Sequence, residues 1–142
     1  MLEIKVRLPI KAKDARRYFL EPELLKRWLC RDAIVNPVKG GAYELFWDLD
    51  DRSHNSTIGC HLTSVSEDYI SFTWKGPREY EKVMNHEPLT HVVVMFHEKN
   101  NSTEITLLHS GWLNTEEWQQ ARLYFKNAWT SALKSLRNME FL

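Results

Sequence analysis

The chain has 142 residues, of which 43% are hydrophobic, a size and composition that fit one domain able to bury about two-thirds of its unfolded surface. Its 19 Lys and Arg balance 19 Asp and Glu, so it has no net positive field of the kind that draws proteins to nucleic acid or anionic membranes. No window approaches the roughly eighteen apolar residues of a membrane span, and the N-terminus lacks the apolar core of a signal peptide. A cytoplasmic location is expected.

Leu2, Ile4, Val6 and Leu8 alternate with Glu3, Lys5 and Arg7, a period of two that predicts a first strand with four apolar side chains on one face. Pro9 ends it. Between Lys11 and Leu29 the pattern turns helical: Ala12, Ala15 and Phe19 share one side, and Pro22 suits the first turn of a second short helix carrying Leu24, Leu25 and Trp28.

Gly40-Gly41 breaks the chain before "AYELFW", where Tyr43, Leu45 and Trp47 face one way and Phe46 the other. Asp48 to Asn55 reads as a polar turn, and "STIGCHLTSV" resumes extended character, which together predict a hairpin. "YISFTW" places Ile70, Phe72 and Trp74 on one face. The stretch 76–88 has no clear period and is expected to be a mobile loop, with or without a short strand in it.

"THVVVMF" and "TEITLLH" flank Asn100-Asn101, and Asn tolerates the positive φ of a tight hairpin turn. Centring the turn there sets Val92 opposite His109 and Val94 opposite Leu107. A one-residue bulge would exchange the faces of one strand, so the inward set of 89–98 stays open. Asn114 followed by Glu117 has the form of a capping box. Trp118, Ala121, Phe125, Trp129, Ala132, Leu133 and Leu136 then recur at helical spacing, predicting one long amphipathic C-terminal helix.

The expected architecture is α+β: a mainly antiparallel sheet with one face covered by that helix. A twisted sheet bent around a helix leaves room for an apolar hollow.

Chemical motifs are sparse. There is no GxGxxG, P-loop or HExxH, and no cofactor is implied. Cys30 and Cys60 lack zinc-site spacing and are expected as free thiols. Metal binding is not expected: His91 and His97 share a strand face but lie roughly 20 Å apart at the strand rise. A His61 and His109 pair across strands is the one arrangement left open. His109, in "LLHSGW", ends the inward row Ile105, Leu107, His109. It is read first as a strand-end residue donating to a loop carbonyl and locking the turn at Gly111, second as a polar anchor in a pocket wall, and third as a general base. Acidic residues such as Glu44, Asp48, Asp50, Asp51, Glu79 and Glu81 fall in turns or on an exposed face. The aromatic set is read mostly as core, with rings able to frame a cavity for flat apolar ligands.

Several of these segments match a known pattern. The order of elements together with "LLKRWL", "GGAYEL", "IGCHLTSV", "ISFTW", "STEITLLHSGW" and a terminal helix with Tyr124 and Trp129 resembles the activator-of-heat-shock-protein-90-ATPase-like branch of the START/SRPBCC superfamily. The resemblance covers nearly the whole chain. It implies a helix-grip fold: a curved antiparallel sheet of about six strands wrapped on a long C-terminal helix, with two short helices after strand one. His109 and Gly111 match the family's "T-H-x-G" strand end, and Trp129 its helix tryptophan. Ser66-Glu67 and Ala128 depart from the proline and glycine the family often has there. Members include lipid and polyketide binders, aromatic cyclases and a co-chaperone domain, which in the eukaryotic activator is joined to a second, chaperone-binding domain.

Three functions follow from the residues and the resemblance together. The leading one is binding of an apolar or aromatic small molecule by a monomer or weak dimer, in a cavity between sheet and helix. Its walls would be Trp28, Tyr43, Trp47, His61, Phe72, Trp74, Ile105, Leu107, His109, Phe125 and Trp129, with His61 and His109 as polar anchors and 76–88 as a lid. The second is a chaperone- or stress-related interaction module contacting its partner through Val93, Met95 and Leu108 on the convex face. An interior filled by side chains would favour this one. The third is a cyclase or hydrolase using His109 as base.

Overall fold

The computed structural model describes residues 1–141. Strands β1 (Leu2–Leu8), β4 (Leu62–Val65), β5 (Tyr69–Trp74), β6 (Thr90–Lys99) and β7 (Ser102–Ser110) form an antiparallel sheet in the order β1-β7-β6-β5-β4. Strands β2 (Asp32–Val35) and β3 (Tyr43–Phe46) pair with each other. They join the rim of the main sheet through an Ala42 to His61 bridge and a Tyr43 N–H to Cys60 carbonyl bond of 2.9 Å. The sheet expected at about six strands is thus built as five plus an attached pair. Strand β2 itself carries no amphipathic signal: Ala33 is buried, but Ile34 is exposed.

The β6–β7 hairpin turns on Asn100 and Asn101, at φ 56° and 63°. Short polar side chains make these angles accessible. The resulting register sets Val92 opposite His109 and Val94 opposite Leu107, and β1 continues it with Leu2 on His109 and Ile4 on Leu107. No bulge intervenes in β6, so Thr90, Val92, Val94 and Phe96 face inward. Phe72 on β5 and Leu62 on β4 extend the row through Val92.

Helix α1 (Ala12–Leu20) and helix α2 (Pro22–Leu25, with Pro at its first turn) follow β1 as expected. Segment 76–88 differs from expectation. It contains a 3₁₀ turn over Arg78–Tyr80 and a short helix α3 (Glu81–Met84), with no strand. Its base is clamped: the Gly76 N–H donates to Asn85 Oδ1 at 2.8 Å, and Asn85 Nδ2 donates back to the Gly76 carbonyl at 3.1 Å. Met84, fully buried, packs so tightly on Gly76 that a Cβ there would lie 2.6 Å from its sulfur.

Helix α4 (Glu116–Arg137) lays Trp118, Ala121, Phe125, Trp129, Leu133 and Leu136 on the inner face of the sheet. Its cap is Thr115, whose hydroxyl accepts from the Trp118 N–H at 3.3 Å, and not the expected Asn114 with Glu117. Glu116 and Glu117 occupy the first turn and Lys134 and Arg137 the last, which complements the helix dipole at both ends. Among the described residues no helix is long and apolar enough to cross a membrane.

Candidate functional site

Between α4 and the ends of β3 and β5 lies an open cleft of about 460 Å³. Four tryptophans converge on it: Trp28 after α2, Trp47 at the end of β3, Trp74 at the end of β5 and Trp129 on α4. Each arrives there by a local rule. Trp74 is the last inward residue of an alternating strand, and Trp129 lies one helical turn beyond Phe125 on the buried stripe. The rings touch in series, with centroids 6.1 Å apart for Trp47 and Trp74 and 5.0 Å for Trp74 and Trp129. Both pairs are tilted or edge-on, the arrangement the ring quadrupole favours.

Hydrogen bonds fix three of these indoles. Trp28 Nε1 donates to the Tyr18 carbonyl at 2.9 Å, Trp47 Nε1 to the Leu29 carbonyl at 2.8 Å, and Trp129 Nε1 to His109 Nδ1 at 3.0 Å. Beside Tyr124, Phe125 and Trp129, α4 contributes a row of small residues to the wall. Ala128, Ser131, Ala132 and Ser135 recur at helical spacing along the cleft, so the helix surface is low where the tryptophans are tall. Lys75, Asn55 and Ser56 contribute polarity. A smaller polar hollow of about 270 Å³ adjoins at Asn55, Ser56 and Gly76, and adds His54, Arg78 and Glu81.

The residues expected to form one cavity wall separate into three groups. Trp28, Trp47, Trp74, Phe125 and Trp129 line the cleft. Tyr43, Phe72, Ile105, Leu107 and His109 are fully buried and fill the interior between sheet and helix. Tyr43 stacks on Phe72 at 4.2 Å and donates its hydroxyl to the Phe19 carbonyl at 2.7 Å. His61 is exposed, because Leu62 next to it faces inward and strand alternation sends His61 the other way. It therefore does not meet His109, and the pair of polar anchors is not formed. Among the described residues no group of three or more His, Cys, Asp or Glu side chains is placed to hold a metal ion.

His109 has no exposed surface. An indole N–H can only donate, so Nδ1 is the acceptor of the Trp129 bond and the ring proton sits on Nε2. Nε2 lies 3.0 Å from Thr90 Oγ1 and donates to it. The partner is a hydroxyl on the neighbouring strand rather than the loop carbonyl expected. Burial lowers the His109 pKa from 6.5 to about 3, with a smaller contribution from His91. Both nitrogens are engaged and the ring stays neutral, so no site remains for a substrate proton. The turn that follows is shaped for this contact: Gly111, at φ 102°, packs on Thr90, where a Cβ would approach its Cα to 3.2 Å. Trp112 closes the turn by donating to the His109 carbonyl at 2.9 Å.

The small residues of α4, Tyr124, Lys75 and the 55–56 segment also line the cleft and were not among the residues expected there. The first group had a signal: Ala128, Ser131, Ala132 and Ser135, at i, i+3, i+4 and i+7, form a stripe of small residues beside the aromatic one.

The sheet gripped by a long C-terminal helix, with a cleft left open at one edge of their interface, defines the helix-grip class. A family model described as "Activator of Hsp90 ATPase homolog 1-like protein" matches residues 13–139. The chain belongs to this family. No curated protein matches it in sequence. Among solved structures it is similar to an HSP90 activator from Plasmodium falciparum, with a TM-score of 0.71 and 21% identity over 94% of this chain and 89% of that one. It is also similar to Aha1 from Colwellia psychrerythraea, solved as a dimer, with a TM-score of 0.69 and 17% identity over 97% and 95% of the two chains. DynU16, a protein from the dynemicin biosynthetic locus, gives 0.68 and 14% over 96% of this chain and 45% of its own. At these identities the likeness is one of fold.

Proposed function

We propose that the protein is a small cytosolic binding protein, a monomer or weak dimer, that holds a flat apolar or aromatic small molecule of the lipid, polyketide or flavonoid kind. The site is the cleft between the tryptophans and α4. The convergence of Trp28, Trp47, Trp74 and Trp129 on about 460 Å³ of open space carries this reading. Ligand pockets fall at about 300–1,000 Å³, with mostly aromatic and apolar walls and a few polar groups. Flat rings from Trp28, Trp47 and Trp74 facing the low Ala and Ser row next to Trp129 shape a slot, which suits a planar ligand. Gly76 and Pro77, at the clamped base of the 76–88 segment, border it where a lid would close.

Tryptophan fluorescence titrated with flavonoids, polyketides and fatty acids tests the proposal. Saturable quenching by at least one class is expected. Ser131→Phe, which fills the slot from the exposed side of α4, should abolish that quenching with little change in melting temperature. Silence across the whole panel would remove the reading.

A second reading, a chaperone-linked interaction module, draws on the description of a similar structure as an HSP90 activator and on the largely filled interior. The convex face offers Met95 and Tyr69, each about two-fifths exposed and paired across β5 and β6, with half-buried Val93 and Leu108 beside them. Stimulation of Hsp90 ATPase activity by the wild type, lost in Met95→Glu, would favour it.

A further inference from the structure

Two features of the cleft go beyond an apolar slot. The first is the Trp74 indole. Its N–H is the one side-chain donor or acceptor that is buried and left without a partner among the described residues, although the residue is only 3% exposed. The other three cleft indoles are all paired. A buried donor left unsatisfied costs stability, and the cost is recovered when an acceptor arrives.

The second is Lys75, the next residue in the chain. Among the cleft-lining residues it is the sole formal charge, since Arg78, Glu81 and His54 belong to the adjoining hollow. No carboxylate lies within 4.0 Å of its ammonium among the described residues. The ammonium donates to the Ile58 carbonyl at 2.7 Å, which ties it to the segment whose Asn55 and Ser56 also line the cleft. One of its three N–H groups is thereby used and two remain.

We propose that the ligand is a flat aromatic or apolar acid, its rings lying along Trp47, Trp74 and Trp129 and its carboxylate received by the Lys75 ammonium and the Trp74 indole N–H. The inference rests on the cleft being a small-molecule site and adds the ligand's chemical class. A neutral ligand covering the same walls would strip water from an unpaired cation and leave the indole donor orphaned. A cationic ligand would add repulsion to both costs. An acid satisfies both groups at once, and a charge-assisted bond from Lys75 is about twice as strong as a neutral one.

Calorimetric titration with anthracenecarboxylate and anthracenecarboxamide, which differ in charge and little in shape, tests this. Wild type should bind the carboxylate about tenfold more tightly, the gain expected of a hydrogen-bonded ion pair over a neutral contact. Lys75→Met should lose that preference while keeping the carboxamide affinity, which also shows that the cleft is intact, and Lys75→Arg should restore it. Trp74→Phe should weaken both ligands and keep the preference. Equal affinities in wild type, or a preference that survives in Lys75→Met, would overturn the acid assignment and leave the cleft reading standing. Binding of neither compound would count against both.

Discussion

The Trp129 indole donates to His109 Nδ1 across 3.0 Å, joining α4 to the inner face of β7 by a buried hydrogen bond. The same imidazole reaches Thr90 on β6 through Nε2. One side chain therefore ties the helix to two strands beside the cleft. His109→Ala would leave the Trp129 donor without its acceptor and open a cavity among Trp112, Phe125 and Trp129. A loss of about 3–5 kcal/mol is expected, which for a chain of this size lowers the melting temperature by roughly 10–17 °C. Calorimetry would register it. An unchanged melting temperature would deny the histidine its structural role.

The same burial gives stability a direction in pH. Folded His109 titrates at about 3 against 6.5 in the unfolded chain, so between those values the unfolded state binds a proton the folded state refuses. The contribution is fully present above about pH 6.5 and is lost as pH falls toward 3. Urea midpoints should therefore drop between pH 7 and pH 4 more steeply in wild type than in His109→Gln. Parallel profiles for the two proteins would contradict the depressed pKa.

Helix α4 is capped by Thr115, not Asn114, and the two residues can be told apart. Thr115→Ala removes the hydroxyl that accepts from the Trp118 N–H and should cost about 1 kcal/mol. Asn114→Ala should cost a few tenths or less. Chemical denaturation that ranks the two the other way would relocate the cap.

Cys30 and Cys60 are buried free thiols. Burial pushes Cys30 up to about 12, reinforced by Asp32, and Cys60 up to about 11 against the lowering bond from Thr73. Thiolate is the reactive form, so a disulfide reagent at about pH 8 should label neither in the native protein and both in denaturant. Rapid labelling of the folded chain would show that the 30–32 or 58–60 segments open readily.

Much of this architecture was legible because it follows single, strong patterns. The Asn100-Asn101 turn predicted the pairing of Val92 with His109, whereas the inward face of β6 stayed open to a bulge and is decided by the unbroken register of the folded hairpin. The period from Trp118 to Leu136 marked α4. What escaped the sequence had competing or weak signals. Strand β2 is four residues long, with Ile34 pointing to solvent. Helix α3 is a single turn whose formation rests on Met84 packing and the Gly76–Asn85 clamp, neither of them a local propensity. At the site, inward direction was readable but depth was not. Tyr43 and Trp47 share a strand face, yet Tyr43 is sealed under Phe72 while Trp47 reaches the cleft. That division depends on where α4 meets the sheet and where its Ala and Ser stripe leaves a gap, which only the folded chain decides.

A ligand that enters the tryptophan cleft and not some other surface is reported directly by the indole N–H signals of the six tryptophans. In a proton–nitrogen correlation spectrum titrated with anthracenecarboxylate, the signals of Trp28, Trp47, Trp74 and Trp129 should move together to saturation, with Trp74 moving furthest as its N–H gains an acceptor. Trp112 and Trp118, outside the cleft lining, should shift little. Movement confined to Trp112 and Trp118, or no movement at saturating ligand, would rule out the cleft as the binding site.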